Sequence, residues 1–124
     1  MDAIQTEKAP AAVGPYSQAV TSGGMVYCAG QIPLDPATGE LVSGEIADEV
    51  GQVLRNLQAV LEAAGTGLDK VVRTTIYVTD LSLFGAVNEA YGSYFEAPYP
   101  ARVTVGVAAL PKGARVEIDA VAEL

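Results

Sequence analysis

The 124-residue sequence predicts an α+β domain, a mixed β-sheet with two helices packed on one face. Two observations carry that prediction. Hydrophobic periodicity alternates along the chain in the order strand, strand, helix, strand, helix, strand, strand. Half of the residues are hydrophobic and 18% are charged, the balance of a chain that buries a core. No linker, low-complexity tract or internal repeat divides residues 1–124, so the expectation is one domain.

Each element has a local signal. Tyr16–Val20 and Met25–Gln31 are β-prone runs separated by Thr21-Ser22-Gly23-Gly24, a hairpin signal with glycines where positive φ is needed. Pro33–Gly44 reads as loop, with a turn through Pro36 and Gly39. From Ile46 the period lengthens: Ile46, Val50, Val53, Leu54, Leu57, Val60, Leu61 and Ala64 fall three or four apart, a helical stripe ended by Gly65 and Gly67. Val71–Val78 follows as a strand, with Val72, Thr74, Ile76 and Val78 on one face and Val71, Arg73, Thr75 and Tyr77 on the other. Asp80 or Ser82 caps a second helix whose apolar positions are Phe84, Val87, Tyr91, Tyr94 and Phe95, with Pro98 and Pro100 beyond it. Arg102–Ala108 and Arg115–Ala122 close the chain as strands joined by a turn at Pro111-Lys112-Gly113.

In the penultimate strand Val103, Val105 and Val107 make the face expected to meet the helices, leaving Arg102, Thr104 and Gly106 on the far side. In the last strand Val116, Ile118 and Ala120 oppose Arg115, Glu117 and Asp119. Two helices cover one face of such a sheet. The other face is semi-apolar, and this favours a homo-oligomer whose sheets face inward.

Composition excludes several functions. Seven Lys and Arg stand against fifteen Asp and Glu, a formal net charge of −8, which opposes any sequence-independent grip on nucleic-acid phosphates. There is no His, so Ser-His-Asp and Cys-His catalysis and His-ligated zinc are absent. One cysteine, Cys28, forms no internal disulfide, and in its apolar strand it reads as a buried inert thiol. No apolar signal region or membrane-length run appears, and the expectation is a soluble protein of the cytoplasm.

Three side chains stand out as candidates for chemistry. Arg102 offers a permanently charged planar fork that binds a carboxylate with two hydrogen bonds, or it pairs with an acid such as Glu117 or Asp119. Glu117 orients or deprotonates a water if partly desolvated, or it forms a cross-strand ion pair with Arg102 or Arg73. Asn88, between Phe84 and Tyr91 at helical spacing, turns its amide to a ligand or to a neighbouring loop's backbone. Gly14-Pro15-Tyr16-Ser17-Gln18 and Cys28-Ala29-Gly30-Gln31-Ile32-Pro33 flank the first hairpin, where glycine permits close backbone approach to a ligand or simply serves turn geometry. Tyr16 lends a hydroxyl or packs.

GPYSQAV at 14–20, YCAGQIPLDPATGEL at 27–41, VNEAYGSYF at 87–95 and PARVTVGVAALPKGARVEIDAVA at 100–122, taken in that order, closely resemble the Rid family, the YjgF-type reactive intermediate deaminases. The resemblance spans essentially the whole chain. It implies a chorismate-mutase-like fold assembled as a homotrimer with active sites in the clefts between subunits. It also implies hydrolysis of 2-imino acids or their enamine tautomers (2-iminobutanoate, 2-iminopropanoate and 2-aminoacrylate) to 2-keto acids and ammonia, without a cofactor. In that frame Arg102 matches the substrate-carboxylate arginine and Gly30 the glycine whose backbone meets the substrate near its imine. Tyr16, Asn88 and Glu117 match residues lining the cleft. Ala29 stands where a serine is common and Thr104 where a cysteine is frequent; both bear on rate and substrate range, and Thr104 shapes the pocket. The alternative within the family is a catalytically weak, regulatory binder of keto acids.

Overall fold

Six strands and two α-helices form in a computed structural model that describes residues Met1–Leu124. In chain order they are β1 (Asp2–Ile4), β2 (Ala19–Ser22), β3 (Met25–Gln31), α1 (Ile46–Ala63), β4 (Val71–Val78), α2 (Phe84–Gly92), β5 (Ala101–Gly106) and β6 (Val116–Glu123). The strands make a single sheet in the order β1-β2-β3-β6-β4-β5, antiparallel except for the parallel pair β4 and β5, which α2 connects. Both helices pack on one face, as the periodicity predicts.

The core follows from α1. Its stripe of Val50, Val53, Leu54, Leu57, Val60 and Leu61 is fully buried against Val26, Ile76, Val78, Val116, Ile118 and Ala122 of the sheet. Burying each such side chain contributes roughly 1.5–3 kcal/mol. Gly65 ends the helix at φ 90°, and the amides of Gly65 and Thr66 donate to the carbonyls of Glu62 and Leu61, both at 3.0 Å. This is a left-handed terminus that favours glycine. Asn56, fully buried on α1, donates to the carbonyls of Ile32 at 3.2 Å and Leu34 at 2.9 Å and accepts from Gln52 at 2.9 Å. It pins the loop leaving β3 to the helix.

The structure differs from the sequence expectations in several places. The short edge strand β1 had no alternation to announce it; it exists because Asp2–Ile4 pair with Ala19–Thr21. The first predicted strand starts later, at Ala19, because Gln18 is buried and anchors the N-terminal segment, donating to the carbonyls of Thr6, Ala9 and Pro10. A register shift between Val71 and Arg73 buries Val71 and exposes Val72, after which β4 alternates as expected. Asp80 caps a short 3₁₀ turn, Leu81–Leu83, by accepting from the Ser82 amide at 2.9 Å, and α2 ends at Gly92 rather than reaching Phe95.

The largest correction concerns β5. Its register pairs Arg102 with Thr74, Thr104 with Ile76 and Gly106 with Val78. Thr74, Ile76 and Val78 are buried beneath the helices, so Arg102, Thr104 and Gly106 lie on the helix side and the valines on the open side. A Cβ on Gly106 would lie 3.1 Å from the Leu81 side chain. An alternating strand declares two faces but not which one the helices cover, and on an edge strand the apolar face need not be the helix face. Arg115 also departs: it turns to the helix layer, paired with the buried Glu49 and bonded to the Gly44 carbonyl.

Candidate active site

The six candidate residues fall into three places. On the open face of the sheet, Gly30 meets Glu117. The ladder between β3 and β6 shifts register between Cys28 and Gln31, and that bulge brings the Gly30 backbone onto the Glu117 side chain. A Cβ at position 30 would overlap Glu117 Oε2 and lie 2.9 Å from its Cδ. Glycine there lets the Glu117 carboxylate lie against the backbone, and any larger residue would push it aside. Beside them the Tyr77 hydroxyl donates to Asp119 Oδ2 at 2.9 Å. Burial, and secondly the Asp119 charge, raise the pKa of Glu117 above the ordinary carboxylate range. Glu117 forms no ion pair; the single one in the chain joins Arg115 and Glu49.

On the helix side, Arg102 and Asn88 share a cavity of about 460 Å³ with Tyr91, Gly92, Tyr99 and Pro100. Phe84, Asn88 and Tyr91 fall at i, i+4 and i+7 of α2, one stripe facing β5. The Arg102 guanidinium lies over the Tyr91 ring at 5.1 Å and the Phe84 ring at 5.7 Å, within cation–π range. The Tyr91 hydroxyl is bonded to that of Thr74 at 2.8 Å in the core. Arg102 has no ion pair, and no carboxylate lines the cavity. One β-repeat further along the same strand, the buried Thr104 hydroxyl has no hydrogen-bond partner.

Tyr16 stands apart from both groups. It is exposed, accepts from the Val13 amide at 3.2 Å, and lines a cavity of about 540 Å³ under the N-terminal segment with Ile4, Ala9 and Gln18. Within the chain, then, Gly30 is brought to Glu117 and Asn88 to Arg102. The two pairs project from opposite faces of the sheet, so of the alternatives for Arg102 an ion pair with Glu117 does not form. Cys28 is buried, its thiol pushed up to about 12 by burial and then by Asp119, which makes it inert.

Sequence reasoning counted Phe84 and Tyr91 as core positions and missed them as neighbours of Arg102. Their signal was available in the connection: a helix joining two parallel strands packs over that pair, so the stripe that contains Asn88 had to face β5.

Residues 6–124 match the family model described as Endoribonuclease L-PSP. The human 2-iminobutanoate/2-iminopropanoate deaminase is 51% identical over 119 residues, covering 96% of this chain and 87% of the human protein. The chain belongs to the Rid family. Among Rid structures, that of RidA from an Antarctic Psychrobacter superposes with a TM-score of 0.96 at 48% identity, with all of both chains covered. E. coli TdcF with bound serine gives 0.95 at 40%, covering 100% of this chain and 99% of the other. These likenesses establish the Rid fold for this chain. No helix is long and apolar enough to cross a membrane.

Proposed function

We propose that this protein hydrolyses 2-imino acids and their enamine tautomers to 2-keto acids and ammonia in the cytoplasm, with no cofactor. The observation that carries the reading is Arg102, an unpaired guanidinium facing a cavity that has no carboxylate. Such a group receives the carboxylate of a small acid through two parallel hydrogen bonds. The relatives named as imine deaminases, and TdcF with bound serine, support that class of ligand.

The chemistry asks little of the protein. A protonated imine beside a carboxylate is already electrophilic. Water adds to its carbon, the C–N bond of the resulting carbinolamine breaks, and ammonia leaves with the keto acid. Arg102 anchors the carboxylate, and the backbone around Gly30 orients the imine nitrogen. Glu117, whose raised pKa brings it nearer to the range of a useful base, orders and deprotonates the water. Tyr16, Asn88 and Thr104 line the pocket. Holding reactants in contact supplies most of the acceleration.

These groups lie on both faces of one sheet, and the open face carries half-exposed Tyr27 and Val103 beside Thr75 and Tyr77. Both facts support a homotrimer in which Arg102 of one subunit faces Gly30 and Glu117 of its neighbour across the substrate, without pairing with that carboxylate. The test is a coupled assay in which a threonine dehydratase generates 2-iminobutanoate in semicarbazide, which traps unhydrolysed imine. The protein suppresses semicarbazone formation, and Arg102→Ala lowers that activity about a hundredfold, the scale of a desolvated charge pair. No suppression by either protein, with saturable binding of 2-ketobutyrate, would make it a keto-acid-binding regulator instead.

A further inference from the structure

We propose that Phe84 and Tyr91 are positioning residues that hold the Arg102 guanidinium between two aromatic faces, so that its fork is aimed at an incoming carboxylate before any ligand arrives. This rests on the reading of Arg102 as the carboxylate anchor.

Three features of the structure converge on it. The guanidinium carbon lies over both rings, at 5.1 Å from Tyr91 and 5.7 Å from Phe84, and a ring that holds the cation by its charge takes none of its N–H groups as a carboxylate would. A salt bridge would occupy those same N–H groups, and Arg102 has none despite fifteen acids in the chain. The Tyr91 ring is itself fixed, because its hydroxyl is bonded to Thr74 at 2.8 Å and its plane packs on Phe95 at 4.6 Å between centroids. Thr74 is the residue paired with Arg102 across the parallel ladder, so the strand beside the one that carries the cation anchors the ring that holds it.

The arrangement has a physical purpose. A free arginine samples many rotamers, and ordering it on binding weakens affinity. Rings that hold the side chain beforehand remove that loss without neutralising the charge, which a carboxylate partner would do. The Tyr91 phenol is kept un-ionised, its pKa raised chiefly by burial, so the ring presents no competing anion.

The experiment measures 2-ketobutyrate binding by calorimetry, with kcat and KM for imine hydrolysis alongside, for the assembled protein and its variants. Phe84→Leu, at a position that is 40% exposed, is the variant least exposed to folding failure. It should weaken 2-ketobutyrate binding and raise KM about fivefold, with kcat nearly unchanged and thermal stability retained. Tyr91→Leu should do at least as much, and Tyr91→Phe, which keeps the ring but loses its tether to Thr74, should bind between Tyr91→Leu and the parent. The neutral 2-ketobutyramide should bind all of these proteins equally weakly. If Arg102→Ala abolishes 2-ketobutyrate binding while Phe84→Leu leaves it untouched, the positioning role is wrong and the anchor stands. If Arg102→Ala itself binds 2-ketobutyrate normally, both fall together.

Discussion

Position 30 shows how one atom decides a site. Because a Cβ there would overlap the Glu117 carboxylate, Gly30→Ala should push Glu117 aside while leaving the core intact. The expected result is a loss of about tenfold to a hundredfold in imine hydrolysis, the scale set by small misplacements of reacting groups. Circular dichroism and thermal melting should stay near those of the parent; an active, stable Gly30→Ala protein would remove Glu117 from the mechanism. The need for a glycine was legible in the run Cys28–Pro33, but its cause was not. The bulge that brings Gly30 to Glu117 depends on a partner strand some ninety residues away. Arg102 was similarly legible as an anion-binding fork, whereas its ring neighbours depend on which face of β5 meets α2.

Elements with strong local signals formed where the sequence placed them. The long stripe of α1 and its glycine stop required no tertiary information, since periodicity and a positive φ are both local. Elements fixed by pairing were less legible, namely β1, the start of β2 and the facing of β5. Asn56 binds one class to the other. Asn56→Ala would strand the Ile32 and Leu34 carbonyls against the core, with a destabilisation of about 2–4 kcal/mol in urea melts, from lost hydrogen bonds and unsatisfied buried groups. A change under 0.5 kcal/mol would mean that solvent reaches those carbonyls. The same substitution should loosen the Pro33–Gly44 loop, seen as faster amide exchange beyond β3.

At the scale of the molecule, charge and the open sheet face set behaviour. Glu117 has a raised pKa in the fold, chiefly through burial, so the folded state holds its proton to higher pH than the unfolded chain does. Its influence on stability is therefore most favourable at low pH and is lost as pH rises through the raised value. Glu117→Gln carries no such charge. Its melting temperature should exceed the parent's at pH 7, with the gap closing below the ordinary carboxylate range; a gap independent of pH would contradict this. The open face makes a separate prediction. Val103 is 41% exposed in the single chain, and in the proposed trimer it is covered. Val103→Asp should give monomers in sedimentation velocity and abolish hydrolysis, and a trimeric Val103→Asp protein would place the contact elsewhere.

The division of the candidate residues between two faces of one sheet has a consequence for inheritance as well as for chemistry. In a closed ring of such subunits, each chain lends its cation to one neighbour and its carboxylate to the other. One defective copy then silences one cleft, and which cleft depends on the face that carries the lesion. Two different inactive chains, one lesioned on each face, would form rings in which some clefts draw both halves from intact surfaces. A ring assembled in this way turns a point defect into a fractional dose rather than an absolute loss.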